Sequence, residues 1–210
     1  MRKHCRRGKK RCVVWFRHRL IASNTGVAIL LLLLAGNSAA AVTAVSASGF
    51  ISEHRLQLQA TPQDAYLALT RDVHRWWDAA HSYSGKAENF SLDARPGGCF
   101  CEALPSGGVE HMRVAHAAPG ERLNLIGGLG PLQALGVSGT MSFVLEPNAR
   151  GTQLVYRYAV SGFAEGGLAA YAEPVDQVQL GQLKRLQAFL ASNVQGAATG
   201  GTPNTPVIIP

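Results

Sequence analysis

The chain has 210 residues, 47% of them hydrophobic and 16% charged, with a formal net charge of +7. That length suits one domain of ordinary size, and the apolar content is too high for a disordered chain. The positive balance is concentrated at one end, which decides how it is read.

Nine of the twenty Lys and Arg residues stand before residue 20, and the first acid is Glu53. Val27-Ala28-Ile29 and the leucines at 30–34 follow. This run falls short of the ~20 apolar residues of a spanning helix and suits the apolar region of a signal peptide. Small residues then extend from Ala39 to Ala47, and both Ser38-Ala39-Ala40 and Val45-Ser46-Ala47 offer the side chains a signal peptidase reads. Residues 1–47 are therefore expected to be a signal peptide, cut between 40 and 47, and the product to be periplasmic or secreted. An uncleaved leader would instead anchor the protein to a membrane. Once the leader is removed, eleven basic residues face thirteen acids, a net charge of about −2, and no basic run follows residue 24. This argues against a nucleic-acid partner.

Residues 48–194 read as the folded domain and 195–210, rich in Gly, Ala, Thr and Pro, as a disordered tail. Phe50 to Gln59 alternates as a strand, with Ile51, Leu56 and Leu58 as its apolar positions. Thr61-Pro62-Gln63-Asp64 starts a helix, and a second short helix ends at Trp76-Trp77. Six strands follow near 88–94, 98–104, 108–117, 121–127, 136–146 and 151–161. Most are separated by hairpin-length turns of Gly, Pro and Asn, so the sheet should be antiparallel. Gly128 to Gly136 is an apolar loop. A helix from about Gly167 to Asn193 closes the domain, with Pro174 starting its main part or kinking it. Val175, Val178, Leu183, Leu186, Phe189 and Leu190 form its apolar stripe, opposite Asp176, Gln177, Lys184 and Gln187. The fold class is α+β, with a curved antiparallel sheet of about seven strands wrapped around the last helix.

This order of elements has four marks: Trp76-Trp77 closing the second helix, Gly97-Gly98-Cys99-Phe100 opening a strand, Gly151-Thr152 opening the last strand, and the long amphipathic helix. Together they resemble the SRPBCC (START-like, helix-grip) superfamily, nearest its polyketide cyclase/dehydrase and heat-shock-ATPase-activator homology groups. The resemblance implies a hydrophobic ligand held between sheet and helix and leaves open whether any reaction follows.

Strand parity gives the residues that should line such a space: Trp76, Trp77, Phe100, Met112, Leu125, Met141, Phe143, Tyr156 and Tyr158. Met112 and Val114 share their face with Glu110 and His116, which places His111 outward. Glu102 follows Phe100 by two; on an inner face its carboxyl would have a pKa raised by burial, and on an outer face it would be solvated. Glu102, His81 and His111 are the candidate acid–base groups. No nucleophile motif accompanies them and no spacing suits a metal, so no cofactor is expected. Cys99 and Cys101 share a strand face, where a disulfide between them would be strained; two small buried hydrophobic residues is the simpler reading. The expected function is an exported protein that binds a small hydrophobic or amphipathic molecule, entered between the Gly128–Leu135 loop and the Trp76–Tyr83 segment. A cyclase- or hydratase-type enzyme using Glu102 and a histidine is the alternative.

Overall fold

The structure, a computed structural model, describes residues 42–199, with side chains to 195. The basic and leucine-rich parts of the expected leader, and the tail from residue 200, lie outside the described residues. The strands are β1 Val42–Ser46, β2 Gly49–Leu58, β3 Phe90–Leu92, β4 Cys99–Leu104, β5 Gly107–Ala118, β6 Arg122–Gly127, β7 Ser138–Asn148 and β8 Gly151–Ser161. They form one open sheet of eight strands in the order β1-β2-β8-β7-β6-β5-β4-β3. Every neighbouring pair is antiparallel. Hairpin connections dictate most of this arrangement; the exception is the crossover from β2 to β3, which carries two helices to the far edge.

Seven strands match the expected ones, and β1 is an addition. Val42-Thr43-Ala44-Val45-Ser46 reads as the end of a leader because its residues are small, yet its β-branched positions also suit a strand. A tight turn after Ser46 pairs it with β2.

The helices are α1 Pro62–Thr70, α2 Val73–Trp76, α3 Pro131–Ala134 and α4 Ala169–Thr199. Thr61 caps α1: its hydroxyl accepts the Asp64 N–H at 3.1 Å and donates to the Asp64 carboxylate at 2.7 Å. The apolar 128–136 loop contains the single turn α3. Pro174 lies inside α4, five residues beyond its start, so it neither opens the helix nor ends it. Gly151 opens β8 at φ 116°, where a side chain would meet the Leu58 carbonyl oxygen at 2.5 Å.

The inward faces of β7 (Met141, Phe143, Leu145) and β8 (Leu154, Tyr156, Tyr158, Val160) are buried as parity requires. Two expectations are corrected. On β2 the buried set is Phe50, Ser52, His54, Leu56 and Leu58, so Ile51 belongs to the other face. On α4 the buried stripe is Ala172, Asp176, Gln179, Leu183, Leu186 and Leu190, alternating four and three residues apart. Asp176 is therefore fully buried and not on the solvent face, while Val175 and Val178 are half-buried beside the stripe. The leucines fix the rotation of the helix, and polar partners on β2 make the buried carboxyl tolerable.

Candidate functional site

A cleft of about 450 Å³ opens between the residues after α2, the turn entering α3 and the first turns of α4. Both segments expected at the entrance border it: Trp77 and Ala80–Tyr83 on one side, Leu129–Pro131 on the other. Each rim is tied to the core. The Trp77 Nε1–H donates to the His81 carbonyl at 3.1 Å, and the Asp78 N–H donates to the Gln182 side chain of α4 at 2.9 Å. Across the cleft, the Tyr158 hydroxyl accepts the Leu129 N–H at 3.1 Å and donates to the Gly127 carbonyl at 3.2 Å. Burial pushes the Tyr158 phenol up to about 12, so it keeps its proton.

The chemistry of the cleft comes from a β-bulge. Phe100 pairs with Met112 and Cys101 with Glu110, which leaves His111 as an extra residue on β5. Alternation is broken there, and the consecutive His111 and Met112 are both buried, at 4% and 1% exposure. His111 thus faces inward and lines the cleft, contrary to the parity expectation. Glu110 and His116, placed inward by parity, are exposed. A second register shift between Val114 and His116 turns the latter out.

Glu102 lies on the inner face beside Phe100 and is 1% exposed. Its carboxylate accepts the Tyr83 N–H at 3.0 Å, the Ser84 N–H at 2.5 Å and His111 Nε2 at 3.0 Å. Burial acts to raise its pKa, but hydrogen bonding from Ser84, Tyr83 and His111 outweighs burial and holds the carboxyl below its ordinary value. The expected upward shift is thereby reversed. The His111 ring sits 5.1 Å from Phe90, 5.5 Å from Phe100 and 5.8 Å from Tyr83. Burial among these rings lowers its pKa, against the opposing pull of Glu102. At neutral pH the pair is an ionised carboxylate and a neutral imidazole. The second ring nitrogen, Nδ1, is buried with no hydrogen-bond partner. His81 is exposed at the rim and is not part of this pair.

These shifts set a pH dependence. His111 in the unfolded chain titrates near 6.5 and lower when folded, so the unfolded chain takes the proton first and stability falls as pH drops below 6.5. Glu102 titrates below its ordinary 4.5 when folded, so its contribution is complete above 4.5 and is lost as pH falls through the folded value. Urea midpoints measured from about pH 8 to about pH 3 are expected to hold above pH 6.5 and to decline below it, the upper part of the decline shrinking in His111→Gln. A flat profile between pH 7 and pH 5 would contradict the buried neutral imidazole.

A second buried polar group lies under α4. The Ser52 hydroxyl donates to Asp176 Oδ1 at 2.5 Å, and His54 Nε2 meets the same oxygen at 2.8 Å. Asp176 Oδ2 has no partner. The His54 ring stacks on Tyr156 at 6.1 Å, and the Tyr156 hydroxyl donates to Gln179 Oε1 at 2.9 Å. Burial holds Tyr156 well above its ordinary pKa, with the neighbouring Tyr158 and Asp176 adding to it. Gln179 reaches the cleft wall. Sequence reading misses Ser52, His54 and Gln179, although polar residues at even positions of β2 and the Asp176–Gln179–Gln182 spacing on α4 are visible signs.

Of the residues expected to line a ligand space, Trp77 is in the cleft wall. Trp76, Phe100, Met112, Leu125, Met141, Phe143, Tyr156 and Tyr158 are packed in the core behind it. Cys99 and Cys101 are half-buried on the outer face and joined as a disulfide, which corrects the simpler reading of two buried thiols. β4 is contracted at the bulge: the two Cα atoms stand 5.3 Å apart, within reach of a disulfide, where two steps of extended strand span ~6.6 Å.

No family model matches the chain, and no curated protein matches it. Among solved structures, protein MLL2253 from Mesorhizobium loti is similar over 68% of this chain and 97% of its own, at 19% identity and a TM-score of 0.50. Protein SA2116 of unknown function from Staphylococcus aureus covers 70% of this chain and 96% of its own, at 13% identity and a TM-score of 0.49. DynU16, from the dynemicin biosynthetic locus, covers 68% of this chain and 48% of its own, at 18% identity and a TM-score of 0.48. The likeness to MLL2253 is one of fold, consistent with an antiparallel sheet and a long C-terminal helix in the helix-grip arrangement.

Proposed function

We propose that this chain is an exported binding protein of the SRPBCC superfamily that holds a small, largely apolar molecule in the cleft beneath α4. The observation that carries this reading is the cleft itself: about 450 Å³, walled by groups such as Trp77, Leu129, Pro131, Val175 and Val178, with the buried His111 among them. That volume is in the range of small-molecule sites, and few polar groups among apolar walls is their usual composition. Titration with 8-anilino-1-naphthalenesulfonate, followed by its fluorescence, is the test. Val178→Trp fills the cleft from α4 and is expected to weaken binding at least about tenfold while leaving the circular dichroism unchanged. No binding by the native protein, or equal binding by the variant, would refute the reading.

Export rests on the leader. Among the described residues, no helix is long and apolar enough to cross a membrane. β1 bears on the cut within residues 40–47, because cleavage after Ala47 would remove a paired strand and separate Ala47 from Leu168, whose N–H donates to the Ala47 carbonyl at 2.9 Å. Cleavage after Ala40 keeps both. The intact mass of the protein from its host distinguishes the two cuts and the uncleaved form.

A second reading, an acid–base enzyme, is favoured by the Glu102–His111 pair, since an imidazole backed by a carboxylate is a competent general base. It requires a substrate to reach Nδ1.

A further inference from the structure

We propose that the Cys99–Cys101 disulfide is a thiol–disulfide exchange site that takes a dithiol as its partner, with Cys99 as the leaving thiolate, and that it opens while the protein stays folded. The site lies on the outer face of the sheet and is independent of what the cleft holds.

The fold does not depend on the bridge. It joins residues two apart in one strand, and the stabilisation a disulfide gives grows with the length of chain it closes. β4 is held by other means: it is paired on both sides, to β3 and to β5. On the inner face the Phe100 ring, between the cysteines, sits 5.3 Å from Trp77 and 5.5 Å from Phe90. Glu102, one residue beyond, accepts from three donors. Reduction removes none of these contacts.

The bridge is also within reach and polarised. Both cysteines are half-buried, and the neighbouring β3 is the edge of the sheet and three residues long. Across β5, Arg113 stands opposite Cys99 and Glu110 opposite Cys101. These two form an exposed ion pair that spans the bulge, and the Arg113 guanidinium also donates to the Gly97 carbonyl at 2.9 Å, which keeps it at the Cys99 end. Asp93, whose N–H donates to the Cys99 carbonyl at 3.0 Å, has its carboxylate closed on Arg95 at 2.7 Å. A thiolate released at Cys99 is therefore opposite a cation, and one released at Cys101 opposite a carboxylate.

That asymmetry sets the direction of exchange. One thiolate of the dithiol attacks Cys101 Sγ, the bond between the cysteines breaks, and its electron pair leaves on Cys99 Sγ, which takes a proton from water. The second thiol of the partner loses its proton to water and attacks the partner sulfur of the mixed disulfide; Cys101 then leaves as the thiolate and is protonated in turn. The dithiol is oxidised to a disulfide by two electrons, and the two cysteines are reduced.

Dithiothreitol is the probe, applied to the native protein at neutral pH and at the same concentration in denaturing urea. Thiols are trapped with iodoacetamide and read from the mass of the tryptic peptide that carries both cysteines. Reduction of the native protein is expected within about tenfold of the rate in urea, with the near-ultraviolet circular dichroism retained, whereas a bridge opened only by global unfolding is slower by about a thousandfold or more. Protection of that size, or loss of the dichroism on reduction, would overturn the exchange site. Cys101→Ser and Cys99→Ser each leave one of the two thiols, and Cys99 is expected to alkylate about tenfold faster than Cys101, with Arg113→Gln removing the difference. Equal rates, or a faster Cys101, would overturn the assignment of Cys99 as the leaving thiolate. The rates on the native protein decide the exchange site even if a variant fails to fold.

Discussion

Asp176→Ala is expected to lower the unfolding free energy by about 3–5 kcal/mol, measured by urea denaturation at neutral pH. Asp176 is fully buried, and one of its oxygens receives both the Ser52 hydroxyl at 2.5 Å and His54 at 2.8 Å. Ser52 and His54 are themselves 0% and 4% exposed, so neither can turn to water when the carboxyl is removed. Each buried group left unsatisfied costs about 1–3 kcal/mol, and the space vacated by the side chain adds to this. Removal of the carboxyl also relieves its own desolvation, but that gain is smaller than the sum of two stranded polar groups. The triple change Ser52→Ala, His54→Leu, Asp176→Leu provides the internal check. With every polar member replaced by apolar groups of similar bulk, most of the lost stability should return. A triple variant no more stable than Asp176→Ala would mean that packing geometry, not polar satisfaction, is what the cluster supplies.

The pattern of elements was legible because turn chemistry and periodicity act locally. Pro-Gly and Asn-containing turns marked the β-hairpins, and Leu154, Tyr156, Tyr158 and Val160 alternated as a buried strand must. What alternation could not supply was the exception to itself. His111 is inward because one extra residue is inserted opposite the Phe100–Cys101 step, and nothing in Glu110-His111-Met112-Arg113 marks where the register slips. Likewise, the apolar residues of α4 point to Val175 and Val178 as packing positions, whereas the helix turns Asp176 and Gln179 to the sheet. What makes those two polar side chains tolerable there is their partners Ser52 and His54 on β2 and Tyr156 on β8, and a single-segment pattern does not contain them. β1 was hidden for a different reason: a segment of small residues next to a leucine run serves both a processing signal and an edge strand.

Both polar clusters join a histidine to a carboxyl, His54 to Asp176 across 122 residues and His111 to Glu102 across nine, yet their roles differ. The Asp176 group binds α4 to β2 and has no residue in the cleft wall except through Tyr156 and Gln179. The Glu102 group holds His111 in that wall and also the segment that covers it. A change at Glu102 should therefore be read first in local opening of the rim and only second in global stability.

Glu102→Gln provides that separation. The amide keeps the size of the side chain but has one oxygen to accept where the carboxylate had two, and its NH2 must face a donor that previously found an acceptor. With the Tyr83 N–H, the Ser84 N–H and His111 Nε2 all competing for it, at least one is left unpartnered. Global stability is expected to fall by about 2–4 kcal/mol. Hydrogen exchange should rise at least about a hundredfold at the Tyr83 and Ser84 amides relative to the native protein, beyond the rise at the amides of β7 and β8, which are central in the sheet. Retained protection at Tyr83 and Ser84 would show that the rim is held by other contacts.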